Sequence, residues 1–316
     1  MVHEKLSRSP LLKADKTLTE EGWARAALWD YSRKEAKSPY LRENDGYLVA
    51  DRQGGFMMLF EFAAAGMKAR HRITYVDIAR KECAEVESSK VSVLRHGTLP
   101  EDILSDSEMT YSDQAMTMAA VKRGSKRQLL ITAPYLDLPG DITGLKAHIE
   151  LENSNDETIS AASAEKDDGT RWCLRSIESP LTAEGIMFVG HKPVMLSPTA
   201  SGAFWYSRSK LQRSIVGAMI LGDGWSLCAG EDRYINSITY RGCIDKLGSM
   251  IFSRTADRWI ASEENSRVEI EARPIATAGS EGNAREFISC SGSFTLSDGQ
   301  RIAFSDALGI ISSQIR

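Results

Sequence analysis

Between Gly202 and Leu247 the chain reads GAFWYSRSKLQRSIVGAMILGDGWSLCAGEDRYINSITYRGCIDKL, short apolar runs cut by polar turns at Asp223-Gly224 and Arg241-Gly242. Asp-Gly between apolar runs marks a tight hairpin, because glycine accepts the positive φ such a turn needs. The same grammar recurs along the chain. YLVAD turns at Gln53-Gly54-Gly55 into FMMLFEF, and Gly66 precedes MKARHRITYVDIAR. AMTMAAVKRG and SKRQLLITAP read as a hairpin across Arg123-Gly124, and Asp298-Gly299 marks another. Helical pattern is scarce. TLTEEGWARAALWDYSRKEAK fits either a short helix from Thr19 or a segment that wraps its tryptophans onto a barrel; Pro100-Glu101-Asp102 suggests one helical turn. SNDETISAASAEKDDG is polar, lacks apolar period and reads as a linker.

Many short strands at hairpin spacing imply an all-β, antiparallel fold with few short helices. A large β protein removes exposed strand edges most simply by closing barrels. The 316 residues suit two lipocalin-like, calycin-type β-barrel lobes, expected over residues 1–200 and 201–316; one large sandwich is the alternative. A hydrophobic content of 42% is enough for a real core. The net charge of −4 argues against nucleic acid as the main partner. No run reaches the length of a membrane span or a signal-peptide core, so the expectation is a cytoplasmic protein with no membrane span. Oligomeric state is left open.

Cys83, Cys173, Cys228, Cys243 and Cys290 are scattered, as are the five histidines, so neither a disulfide framework nor a zinc site is expected. P-loop, Rossmann, H-E-x-x-H, nucleophile-elbow and kinase signatures are all missing. Any catalysis would be cofactor-free, on groups gathered from distant strands.

Strand alternation separates two faces in KARHRITYVD. Lys68, Arg70, Arg72 and Thr74 share a face that reads as solvated. Ala69, His71, Ile73, Tyr75 and Asp77 share the other, which mixes apolar and ionisable groups as a ligand-cavity wall does; a hydrogen-bonded His–Tyr–Asp set in an ordinary core is the competing reading. Tyr206 and Arg208 fall on one strand face. They either orient a polar oxygen on an apolar ligand or satisfy buried carbonyls where the lobes meet. Trp205 and Trp225 are core residues or ligand platforms. Asp232 alternates with Tyr234 and Asn236, and Trp23 with Arg25 reads as an N-terminal clasp.

The segments LLKADKTLTEEGWARAALWDYSRK, INSITYRGCIDKLGSMIF, DRWIASEENSRVEIEARP and FISCSGSFTLSDGQRIAFSDALGI, in this order and spacing, resemble a bacterial family known only as a domain of unknown function. That family is similar to the tandem lipocalin-like proteins that include carotenoid 1,2-hydratase, the AttH-like proteins and some cofactor-free Diels-Alderases. The resemblance implies two β-barrel lobes that bind apolar small molecules. Relatives carry an Asp, an aromatic and an Arg near mid-chain. The aromatic and the Arg map onto Tyr206 and Arg208, while Trp205 stands where the Asp would be, so hydratase-type chemistry does not carry over directly.

The resulting expectation is a cofactor-independent enzyme on a hydrophobic small molecule, of cyclase, isomerase or hydratase type. His71 or Asp77 would move protons, and Arg208, Tyr206 or Tyr234 would polarise a carbonyl. Tyr75, Trp205, Trp225 and Asp232 would line the pocket. The alternatives are a lipid, pigment or polyketide carrier, and an interaction protein with filled barrels.

Overall fold

A computed structural model describes residues 3–66, 68–91, 99–165, 169–210, 217–279 and 284–313. The hairpins form where the turn residues place them. Gly217–Gly222 pairs with Trp225–Gly230 across Gly224, and Ser237–Tyr240 pairs with Cys243–Lys246 across Arg241-Gly242. Thr117–Arg123 meets Lys126–Leu138, and Ala284–Thr295 meets Arg301–Ser313. Two curled, antiparallel half-barrel sheets result, of 13 and nine strands among the described residues.

The first sheet runs, in spatial order, through Glu82–Val91, Lys68–Asp77, Phe56–Ala65, Arg42–Asp51, Ser201–Ser209, Trp172–Val189, Ile142–Glu152, Lys126–Leu138, Thr117–Arg123 and Ser107–Ser112. Its two end strands meet through side chains: Ser88 bonds Tyr111, and Lys90 Nζ donates to the Ser112 carbonyl at 3.1 Å. The second sheet spans residues 217–313. Ser201–Ser209, which the expected boundary assigned to the second lobe, is hydrogen-bonded between Arg42–Asp51 and Trp172–Val189 in the first sheet. The Gly202–Leu247 stretch is therefore the crossing from one sheet to the other; residues 211–216 within it lie outside the described residues.

Three apolar clusters follow from strand alternation. Phe56, Met58, Phe60 and Phe62 point into the first lobe, and Trp225, Leu227 and Phe294 into the second. The opposite faces meet: Leu48, Met57, Leu59 and Ala203 pack on Met219, Leu221, Phe287 and Ile310 to form a seam between the lobes.

One open reading is decided and two segments differ from expectation. The one helix among the described residues is Arg33–Ala36, capped by Ser32; Gly22–Ala24 is instead a strand in the first sheet. Trp23 goes into the seam and Trp29 into the first core, so the N-terminus wraps as the second of the two readings held. The expected linker contains a strand, Ile159–Ala164, paired with Gly22–Ala24 on one side and Trp172–Val189 on the other. Its small residues carry little apolar signal, yet Ser160, Ala161 and Ala162 are fully packed beneath the N-terminal wrap; residues 166–168 lie outside the described residues. Pro100-Glu101-Asp102 is not helical, and its carbonyls are used as acceptors, described below.

Candidate functional site, a cleft between the lobes

The face of Lys68–Asp77 that reads as solvated in the sequence is turned toward the second lobe. Register fixes what lies along it. Arg70 is opposite Ala63, Ala63 opposite Asn44, Asn44 opposite Ser207, and Ser207 opposite Arg175. One rung along, Arg72, Glu61, Gly46, Trp205 and Ile177 follow one another across the same five strands. Directly opposed residues share a face, so these two rungs form one floor. The second lobe supplies the facing wall from Met219, Cys228 and Ile310, with Ser312 and Arg285 beside them. Between floor and wall is an open cleft of about 660 Å³, within the usual range for a small-molecule site.

The floor is open at its centre because Ala63, Asn44 and Ser207 are small. Trp205 forms one shoulder. Its indole lies over Gly46, where a Cβ would stand 2.1 Å from the ring, and its Nε1 donates to Asn44 Oδ1 at 3.3 Å. Among the described residues the lining carries six basic side chains, Arg42, Lys68, Arg70, Arg72, Arg175 and Arg285, in a chain of net charge −4. Glu61 and Glu87 are the acids on this face. Glu43 also lines the cleft, but its carboxylate turns to the other side of the sheet, where Arg33 and Tyr31 hold it.

Arginines and acids are interlocked. Arg285 donates to Glu61 at 2.6 Å across the lobe boundary, and Arg72 donates to Glu87 at 2.6 Å with Glu85 at 3.6 Å. These contacts hold both guanidinium planes in place. Buried Nη1 atoms of Arg72 and Arg285 remain without a hydrogen-bond partner. Burial pushes the Cys228 thiol up to about 12 and raises that of Cys173, so neither is a nucleophile at neutral pH. Among the described residues no three His, Cys, Asp or Glu side chains converge to hold a metal ion.

The residues singled out from sequence are dispersed. His71 is on the opposite face of its strand from Arg70 and Arg72, buried against Tyr111 at 4.0 Å and Phe62 at 5.5 Å. Burial lowers its imidazole to about 4. Tyr75 lies four residues along, about 13 Å at strand rise, stacked with Phe56. Asp77 ends the strand and pairs with Arg80 at 2.7 Å. His71, Tyr75 and Asp77 do not form one constellation; the groups around His71 are instead Tyr111, Ser88 and Asp113, which bond one another.

Arg208 and Tyr206 face the first-lobe interior. Arg208 is fully buried, donates to Asp45 at 2.5 Å and to the Pro100 carbonyl at 2.5 Å, and covers the Tyr206 ring at 3.8 Å. Tyr206 Oη donates to the Glu101 carbonyl at 2.7 Å. The pair thus takes the structural reading, satisfying buried carbonyls, although those belong to the 99–103 segment and not to the lobe junction. Trp225 is packed in the second core on Phe294 and Phe304 at 5.0 and 4.5 Å. Asp232 accepts from Ser163 Oγ at 2.8 Å, which ties the second lobe to the strand Ile159–Ala164, and Tyr234 Oη donates to Glu21 at 2.9 Å, which ties it to the N-terminal wrap. Of the nine, Trp205 and Tyr206 border the cleft; Trp205 lies on the floor, while the Tyr206 ring and hydroxyl turn to the first-lobe interior.

Arg175, Arg72, Arg285 and Glu61 were not singled out in the sequence. A signal was present: Lys68, Arg70 and Arg72 alternate on one face, and Arg175 interrupts the apolar run RWCLRSI. Two curled antiparallel half-barrel sheets joined by an apolar seam, with a cleft at the joint, define a tandem lipocalin-like protein. The chain belongs to DUF2804, a domain of unknown function, whose profile matches residues 3–314. No curated protein matches the sequence.

Solved structures share the architecture. Kievitone hydratase from Nectria haematococca is 9% identical with a TM-score of 0.51, over 86% of this chain and 89% of that one. CghA, solved with Sch210972, is 10% identical with a TM-score of 0.53, over 88% and 89%. A protein assigned as AttH from Nitrosomonas europaea is 11% identical with a TM-score of 0.52, over 87% and 93%. At these identities the likeness speaks for the fold. Among the described residues no helix is long and apolar enough to cross a membrane.

Proposed function

We propose that this protein is a cofactor-independent enzyme that binds a small molecule with an apolar body in the cleft between its lobes and promotes its cyclisation or isomerisation. The observation that carries the reading is the facing of an apolar second-lobe wall, Met219 and Ile310, by a floor of fixed guanidinium groups. The apolar wall selects a folded substrate conformer, and orientation alone lowers a barrier substantially. Arg72 and Arg285, held by Glu61 and Glu87, are pre-organised donors for negative charge developing on a carbonyl oxygen. The kinship in fold with a hydratase and with CghA, which was solved with a bound small molecule, supports this class.

Both acids on the floor are engaged by arginines, and His71 faces the other side of the sheet. This favours templating and charge stabilisation over a proton relay. The same observation favours a second reading, a carrier that holds its ligand unchanged.

The test is native mass spectrometry of the protein from its own host, followed by incubation of the extracted ligand with fresh protein. The enzyme reading expects conversion by the wild type and none by Ala63→Trp or Met219→Trp, which fill the cleft from opposite sides. Ligand returned unchanged supports the carrier. A ligand bound and turned over equally by both filled variants would remove the cleft from the account.

A further inference from the structure

Resting on the cleft as the binding site, we infer that its substrate carries an acidic oxygen group of the carboxylate class, which docks on Arg175 while the apolar body lies against Met219 and Ile310. The argument is one of charge accounting. Arg72 has Glu61, Glu85 and Glu87 within 4 Å, Arg70 has Glu87, and Arg285 has Glu61. Arg42, Lys68 and Arg175 have no carboxylate within that distance among the described residues. Arg42 and Lys68 are exposed at the rim, where water serves as partner.

Arg175 is different. It is half-buried in the strand Trp172–Val189, between Leu174 and Ser176, which are both buried. The Cys173 thiol, two residues back on the same strand, is its neighbour in the cleft lining. Asp232 is the acid that acts on it through space, and that carboxylate is already engaged by Ser163 Oγ and the Tyr234 amide. A half-buried guanidinium on the cleft lining, with no carboxylate within 4 Å among the described residues, is placed to take an anion that enters the cleft. A lobe-joining arginine would contact an acid of the other lobe directly, as Arg285 meets Glu61 at 2.6 Å; Asp232 acts on Arg175 without such a contact, and the guanidinium lines the cleft.

The surroundings suit a carboxylate. The guanidinium is a planar fork that matches two oxygens at once. Ser207, directly opposite Arg175, brings a hydroxyl to the same rung, and beyond it Asn44 and Ala63 keep the floor low. An acid group at Arg175 leaves the rest of the molecule to run over these small residues beneath Met219 and Ile310.

The experiment uses two probes of one skeleton: 8-anilinonaphthalene-1-sulfonate, and N-phenyl-1-naphthylamine, which lacks the anionic group. Fluorescence titration of the wild type is expected to give at least tenfold tighter binding of the anion. Arg175→Met is expected to abolish that preference while leaving the neutral probe within twofold; Arg175→Lys, which keeps charge but not the fork, is expected to fall between. Arg301→Met, an exposed arginine elsewhere, should leave the ratio unchanged, which separates the cleft from general surface attraction. Equal affinity for the two probes, or full preference in both folded Arg175 variants, overturns the inference and leaves the cleft standing. Binding of both probes undiminished in Ala63→Trp, or binding of neither by the wild type, removes the cleft reading itself.

Discussion

Gly46 and Trp205 are opposed on neighbouring strands, and the Trp205 indole occupies the volume a side chain at position 46 would need. The glycine is required by this close approach, which shapes one shoulder of the cleft. Gly46→Ala puts a methyl 2.1 Å from the ring, so ring or backbone must move. Overpacking of this kind costs about 1–3 kcal/mol. Urea denaturation should show that loss, and the loss should shrink in a Trp205→Leu background. An unchanged midpoint in Gly46→Ala would contradict the packing described.

Glu61 joins the lobes by accepting from Arg285 while facing Arg72. Glu61→Gln removes the charge that both guanidinium groups face. Breaking a buried pair by removing one partner costs about 3–5 kcal/mol. A double-mutant cycle with Arg285→Met should show strong coupling, because the second substitution then removes a cation already stranded. Additive effects on the urea midpoint would show that the contact does not hold the lobes.

Arg208 is assigned to structure. Arg208→Met strands Asp45 in the first-lobe interior and removes the donor to Pro100, while Glu43 keeps Arg33 and Tyr31. The expected cost is about 3–5 kcal/mol, read by denaturation. Probe affinity in the cleft, on the opposite face of the sheet, should be unchanged in the folded fraction. Loss of cleft binding with unaltered stability would return Arg208 to the site.

His71 makes stability depend on pH. In the folded chain burial, aided by the Lys90 charge and opposed by Asp113, keeps the imidazole neutral down to about 4, against 6.5 when unfolded. Between those values the unfolded chain binds more protons, so acidification favours unfolding. Below about 4 both states are protonated and the loss stops. The full effect is about 3 kcal/mol. His71→Phe keeps a stacked ring without a titrating group, and should flatten the difference in urea midpoint over this window. A parallel pH profile for wild type and variant would contradict it.

The two-residue turns made the fold legible, because Gly224 and Gly242 mark hairpins whatever the strands pack against. What the alternation could not tell was which side of each strand meets water. Lys68, Arg70 and Arg72 look solvated until a second sheet is laid across them. Ser160 and Ala162 look like linker because tight packing beneath the wrap selects small side chains, which carry no apolar signal. His71, Tyr75 and Asp77 share a face in sequence, but strand rise keeps them far apart. The rung that joins Arg70 to Arg175 is invisible in sequence, since it crosses five strands whose order is set by long-range pairing.

A crystal structure of the protein with the ligand retained from its own host tests the cleft most directly. Density is expected over Ala63, Asn44 and Ser207, with the apolar part against Met219 and Ile310 and an oxygen pair at Arg175. Density inside either barrel, with this cleft filled only by water, would contradict both the site and the reaction class drawn from it.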